Sequence, residues 1–232
     1  MILAAGRGER MRPLTDHLPK PLLAVGGKPL IVWHIERLVA AGIRDLVINH
    51  AHLGHMLVEA LGDGSAFGAR IEWSAETQGA LETAGGIAHA GALLGDAPFI
   101  VINGDIWCDA DIGALREAAL TLRADARLAH LVLVANPQHH PDGDFALRDG
   151  LVLDAASGRH TFSGIAAYHP QLFHGLPAGQ PARLAPLLRS AMRASRVSGT
   201  LHEGLWFDVG TPERLAEVDA IARSQSSPPD RR

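Results

Sequence analysis

Leu3-Ala4-Ala5-Gly6-Arg7-Gly8-Glu9-Arg10-Met11-Arg12-Pro13-Leu14-Thr15 carries a short apolar strand straight into a loop with two glycines and three arginines. Glycine lets backbone N–H groups approach a polyphosphate closely, and successive N–H groups form an anion-binding nest. Arginine adds a forked donor that is always charged. A dinucleotide-binding turn would need a third glycine where Met11 stands, and a close-packed helix that Pro13 disfavours. A P-loop would need Gly-Lys-Ser/Thr at a spacing absent here. Read alone, the stretch also fits an ordinary strand and loop with solvated arginines.

Outward from this strand, apolar runs bounded by turn residues alternate with helical patterns. The strand candidates are Ile2–Ala4, Asp45–Asn49, Arg70–Ser74, Phe99–Asn103 and His130–Ala135. Between them, Pro29 opens a helix with Leu30, Ile31, Ile35 and Leu38 in phase, and Gly42 closes it. Further helices are expected at Leu53–Leu61, Ala84–Leu94 and Asp111–Leu122. Such alternation predicts an α/β fold: a Rossmann-like, mostly parallel central sheet with helices on both faces. From Asp144 to Tyr168 the segments shorten around Gly150 and Gly158, which predicts hairpins or a small mixed β extension. A helix at about Ala182–Ala194, strands near Val197–His202 and Leu205–Asp208, and a helix from Thr211-Pro212 to about Arg223 complete the pattern. Residues 1–223 read as one domain. The polar, Pro-rich end, Ser224 to Arg232, reads as a disordered tail.

Four more stretches carry candidate chemistry. In Pro19-Lys20-Pro21-Leu22 the prolines stiffen the backbone around one of only two lysines, the other being Lys28. A rigidly placed ammonium suits a phosphate; a surface loop lysine is the plain alternative. Phe99-Ile100-Val101-Ile102-Asn103-Gly104-Asp105 ends an apolar strand on a carboxylate. Ligands of open α/β sheets bind at such strand ends, where Asp105 is placed to hold Mg²⁺ or to cap a helix. Leu205-Trp206-Phe207-Asp208-Val209-Gly210-Thr211-Pro212 repeats the arrangement with Asp208, so the two carboxylates could share a cation. Leu81-Glu82-Thr83-Ala84-Gly85-Gly86 would bring backbone against a flat ligand such as a base, or is a flexible loop.

The composition sets bounds. The chain has 232 residues, 47% of them apolar and 20% charged, with a net charge of −4. That supports a sizeable core and gives no reason to expect a nucleic-acid polymer or an anionic membrane as partner. One cysteine, Cys108, precludes a disulfide within the chain, and no apolar run reaches membrane-span length. A soluble cytoplasmic protein is expected. His50, His52 and His55, and the pair His139-His140, read as loop histidines rather than zinc ligands, since no cysteine partner accompanies them. Cys108 reads as a small buried filler.

Taken together and in their order along the chain, the five stretches resemble the sugar-1-phosphate nucleotidyltransferase family, over most of residues 1–215. Ile48–Gly54, Leu81–Gly86 and Asn103–Trp107 look closest to its N-acetylmuramate-1-phosphate uridylyltransferases of cell-wall recycling. Glu82 stands where glucose and mannose enzymes commonly have glycine. The resemblance implies UTP and a sugar 1-phosphate as substrates and Mg²⁺ as cofactor. It implies that Ala4, Ala5, Gly6, Gly8, Glu9, Arg10, Lys20, Thr83 and Asn103 bind the nucleotide, with Arg10 and Lys20 catalytic through their charge. It implies Asp105 and Asp208 as metal ligands. Asn103, Asp144 and Arg159 are the sugar-side candidates; Arg159 enters because no lysine follows Lys28 to grip the sugar phosphate as in many relatives. The phosphate of a sugar 1-phosphate is largely dianionic at neutral pH and attacks the α-phosphorus directly, which fits the lack of a Ser–His–Asp set. Alternatives are a glucose- or mannose-1-phosphate enzyme and, from another class, a non-catalytic nucleotide-sugar-binding regulator. A regulator would be expected to have lost a charged motif residue, and all four are present.

Overall fold

A computed structural model describes residues 1–77 and 79–226. In chain order the first half comprises β1 (Ile2–Leu3), β2 (Ala24–Val25), β3 (Lys28–Pro29), α1 (Leu30–Ala40), β4 (Asp45–His50), α2 (Gly54–Leu61), β5 (Arg70–Ala75), α3 (Glu82–His89), α4 (Gly91–Leu94) and β6 (Phe99–Asn103). The second half comprises β7 (Ile106–Cys108), α5 (Ile112–Thr121), β8 (Ala129–Val134), β9 (Phe145–Arg148), β10 (Leu151–Leu153), β11 (Arg159–Tyr168), α6 (Leu184–Arg193), β12 (Val197–His202), β13 (Trp206–Asp208) and α7 (Pro212–Ser226).

Nine strands form one sheet in the order β5-β4-β1-β6-β11-β8-β12-β10-β9. β5, β4, β1 and β6 run parallel, joined by helical crossovers. β11 is antiparallel to both β6 and β8, while β12 is parallel to β8. The α/β class and the mixed second half follow the sequence pattern. What the pattern leaves unplaced is β11, ten residues long and central rather than peripheral. Its register shifts between Phe162 and Ile165, where the Ser163 hydroxyl donates to the Val132 carbonyl and accepts from the Ile165 N–H. That irregularity hides one long strand behind what reads as two short segments.

Alternation along the strands sorts side chains onto two faces. Ile2, Leu46, Ile48, Ile100, Ile102 and Ile165 pack with Ile31 and Ile35 of α1, Leu57 of α2 and Leu115 of α5. Val47, Val101, Leu131, Leu133, Ala166 and Tyr168 pack on the other face with Ile87 of α3 and Leu188 and Met192 of α6. Each such buried aliphatic side chain contributes roughly 1.5–3 kcal/mol. A third cluster, with Met11, Val25, Trp107, Val209 and Val218, seats α7 against the first loop and β7.

Three local expectations change. The helix expected over Ala84–Leu94 breaks at Ala90 into α3 and α4, beside Gly91, a weak helix former. β1 has only two residues. α7 continues to Ser226, so the helix includes the first residues of the expected tail; residues 227–232 lie outside the described residues. Among the described residues no helix is long and apolar enough to cross a membrane.

Candidate active site

Parallel pairing decides where the loops meet. Leu3 of β1 pairs with Asn49 of β4 on one side and with Asn103 of β6 on the other. The carboxyl ends of three strands, remote in sequence, therefore lie side by side. A Cβ at Gly104 would stand 2.7 Å from the Leu3 carbonyl, which accepts the Gly104 N–H at 2.8 Å. Only glycine permits that approach.

A cleft of about 460 Å³ opens above these ends. Its walls include Ala4, Ala5, Gly6, Gly8, Glu9, Arg10, Lys20, Thr83, Asn103 and Asp105. Gly8 has a φ of 67° and lies under the Lys20 stem; the Thr15 hydroxyl donates to its carbonyl at 2.8 Å. The Leu14-Thr15 end of the first stretch thus locks the loop, and the loop packs on the lysine of the second. Lys20 is only 7% exposed in its side chain and donates to Asp105 Oδ2 at 2.8 Å; Asp105 is 41% exposed. Arg10 makes no ion pair among the described residues and leaves its charge to the cleft.

Asp208 arrives on a separate two-stranded ladder. β13 pairs antiparallel with β7, Asp208 opposite Ile106, and the Val209 N–H donates to the Asp105 carbonyl at 3.0 Å. The ladder brings the two carboxylate-bearing stretches together. Asp208 itself does not line the cleft, whereas Gly210 does. Its Oδ2 accepts from Arg214 at 2.6 Å, with His139 Nε2 at 3.7 Å.

The nucleotidyl transferase family profile matches residues 1–145. The chain belongs to the nucleotidyl transferase family. It is 56% identical to an N-acetylmuramate alpha-1-phosphate uridylyltransferase of Neisseria meningitidis serogroup B, across 96% of this chain and 97% of that protein. It is 38% identical to a protein of the same description from Caulobacter vibrioides, across 95% of each. In fold it matches a Bacillus anthracis protein, provisionally named a glucose-1-phosphate thymidylyltransferase and solved with a sucrose. The TM-score is 0.83 at 23% identity, over 96% of this chain and 94% of that one.

Two buried polar residues of this nucleotidyl transferase cleft carry no sequence signal strong enough to mark them. Asn49 Oδ1 accepts the Ala4 N–H at 2.9 Å, and its Nδ2 donates to Glu76 at 2.6 Å. The other Glu76 oxygen accepts the Leu81 N–H at 2.7 Å. This chain of bonds ties the first loop to the start of α3. Asn49 ends an apolar strand as Asn103 does, which was its available mark. Gly86 sits so close to both side chains that a Cβ there would be 2.7 Å from Glu76 Oε1.

A second cavity, about 440 Å³, continues from the first and shares Glu82, Thr83 and Asn103 with it. Asp144, Phe145, Phe162, Arg183, Leu184 and Leu188 complete most of its wall. Asp144 accepts from the Phe162 N–H at 2.8 Å and from His140 at 3.1 Å. Arg159 lines neither cavity: its Nε donates to the Ala155 carbonyl at 2.6 Å, back within its own hairpin. The arginine that does line the second cavity is Arg183, 3.3 Å from Glu82. Glu82 takes a φ of 57°, unusual for a side-chain-bearing residue.

Trp107 is core, edge-on to Trp33, and does not reach either cavity. Burial pushes the Cys108 thiol up to about 11, so it is protonated near neutral pH. Among the described residues, none of the histidines at 50, 52, 55, 139 and 140 belongs to a group of three potential ligands with converging atoms. Among the described residues the one converging group is Cys108, Asp109 and His202, where His202 Nε2 is 2.8 Å from Asp109.

Gly85 tests how α3 is seated. Leu81 and Ala182 exchange backbone bonds with each other's segments, and Ala84 and Gly85 both donate to the Ala182 carbonyl. A Cβ at Gly85 would meet the Gln180 carbonyl oxygen and stand 2.8 Å from the Ala182 nitrogen, neither of which can swing aside. Gly85→Ala is expected to cost about 1–3 kcal/mol, as overpacking typically does. Denaturant unfolding measures it; an unchanged midpoint would show that this seam yields freely.

Proposed function

We propose that this nucleotidyl transferase moves a uridylyl group from UTP onto N-acetylmuramic acid α-1-phosphate and releases pyrophosphate. The observation that carries the reading is full-length likeness: 56% identity over nearly the whole of both chains to a protein described as that uridylyltransferase. A second relative of that description also aligns along nearly its whole length. This favours N-acetylmuramate over the glucose and mannose alternatives.

The geometry suits the chemistry. The cleft offers backbone at Ala4–Gly8, a buried ammonium at Lys20 and an unpaired guanidinium at Arg10. Those groups neutralise a triphosphate and stabilise charge on the departing pyrophosphate. The Thr83 segment lines the same cleft, where a base would stack against backbone. The sugar phosphate oxygen attacks the α-phosphorus in line with the leaving pyrophosphate, so no protein nucleophile is needed.

Asp105 and Asp208 suit Mg²⁺. Each has one oxygen that accepts nothing among the described residues, and together they supply the two hard carboxylates such a site uses beside phosphates and water. When bound there, the ion would supply positive charge that offsets the charge of the phosphates. Lys20 meanwhile holds the other Asp105 oxygen. We place the reaction in the cytoplasm, as part of cell-wall recycling.

Pyrophosphate release across a matrix of nucleoside triphosphates and sugar 1-phosphates tests the reading. The highest kcat/KM is expected for UTP with N-acetylmuramic acid 1-phosphate. A clear preference for glucose or mannose 1-phosphate, or for another base, would overturn the substrate pair and leave nucleotidyl transfer standing.

A further inference from the structure

We infer that the second cavity is a carboxylate-recognising subsite for the lactyl arm of the sugar, with Arg183 as its cation. The inference rests on the proposed substrate, whose lactyl ether carries an anion that the phosphate site does not serve. The two cavities share Glu82 and Asn103, so one ligand can occupy both. Among the residues lining the second cavity, Arg183 alone is cationic. Asp144, with Glu82 one of the two acidic residues in that wall, already has one oxygen on the Phe162 N–H and the other on His140. Phe162 and Leu188 give the apolar surface that a lactyl or acetyl methyl group would cover.

Arg183 is engaged but not committed. It faces Glu82 at 3.3 Å, with side chains 81% and 45% exposed. An exposed pair of this kind contributes little, because water solvates both partners almost as well. A carboxylate brought in by a sugar already anchored through its phosphate can therefore displace Glu82. The guanidinium fork then offers it two parallel donors. Glu82 holds its place at the border of both cavities in a backbone conformation that side chains rarely adopt. Such strain is commonly kept where it has a use. The carboxylate of Glu82 keeps Arg183 oriented along the cavity wall until the substrate's own carboxylate replaces it.

The experiment compares two acceptors with UTP: N-acetylmuramic acid 1-phosphate and N-acetylglucosamine 1-phosphate, which differ by the lactyl ether. For wild type, Arg183→Ala, Arg183→Lys and Arg183→Glu, the readout is the ratio of the two kcat/KM values. Arg183→Ala is expected to lower that ratio about 10- to 100-fold, the loss of one charge-assisted contact, mainly through the KM of the lactyl sugar. Arg183→Lys should recover part of it, and Arg183→Glu should fall below alanine. The side chain is mostly in water, so melting temperatures should not move. If wild type shows no preference for the lactyl sugar, the substrate reading fails. If wild type has the preference and Arg183→Ala keeps it within about threefold, or lowers both acceptors equally, the substrate reading stands and the assignment of Arg183 is wrong.

Discussion

Lys20→Ala is expected to lower kcat/KM by a factor on the order of 10²–10⁴, the range for losing one charge contact made in the transition state. The structure explains why a single lysine carries so much. Its side chain is 7% exposed, with its stem against Gly8 and its ammonium on Asp105. Pro19 and Pro21 fix the backbone on both sides, so little ordering remains to be done when the triphosphate arrives. Removing the ammonium leaves Asp105 unpaired, but that carboxylate is 41% exposed and can take up water. The fold should survive, and the loss should appear in turnover rather than in circular dichroism. Lys20→Arg should not restore activity, since a longer planar fork does not fit where the Lys20 stem packs against Gly8. Arg10→Ala should act in the same direction. Losses below about threefold for both Lys20→Ala and Arg10→Ala, in steady-state pyrophosphate release, would return these residues to ordinary surface cations.

Asp105→Asn should cut kcat by at least about 10²-fold, as expected when a transition-state electrostatic contact is weakened, and raise the Mg²⁺ concentration needed for half-maximal rate. Asparagine keeps the shape and an oxygen but removes the charge. Asp208→Asn should do the same by a different route: it also releases Arg214, which Asp208 holds at 2.6 Å. EDTA should stop the wild-type enzyme, and added Mg²⁺ should restore it. Full turnover in EDTA would sink the metal assignment outright. Turnover that depends on metal but is indifferent to both substitutions would move the ion to other ligands.

Several features could be read before any fold was known, each for a local reason. Glycines beside charged residues at the end of an apolar run mark a strand end where a ligand approaches backbone. That signal picked out Gly6, Gly8, Asn103 and Asp105, which the structure brings to one cleft. Asn49 shared only the strand-end mark of Asn103, with no glycine or charge beside it, and Glu76 had none, because a polar residue becomes informative only when it is seen to be buried among others. Arg159 and Arg183 show the same limit from the other side. Both are arginines in the second half, and nothing in their neighbours separates them. One turns back on its own hairpin; the other immediately precedes α6 beside the cavity.

Local pattern thus decided the α/β class, the loops that carry glycine and charge, and the helix boundaries set by Pro29, Gly42 and Asp111. These depend on backbone preference and on periodicity within a few residues. The tertiary structure alone decided that β11 enters the middle of the sheet, that Asp208 meets the Asp105 stretch across β7 and β13, and that Arg183 faces Glu82. Each of these is a contact between segments far apart in the chain. Its geometry is set by strand register and by the packing of two helical layers on a twisted sheet, and no single segment contains that information.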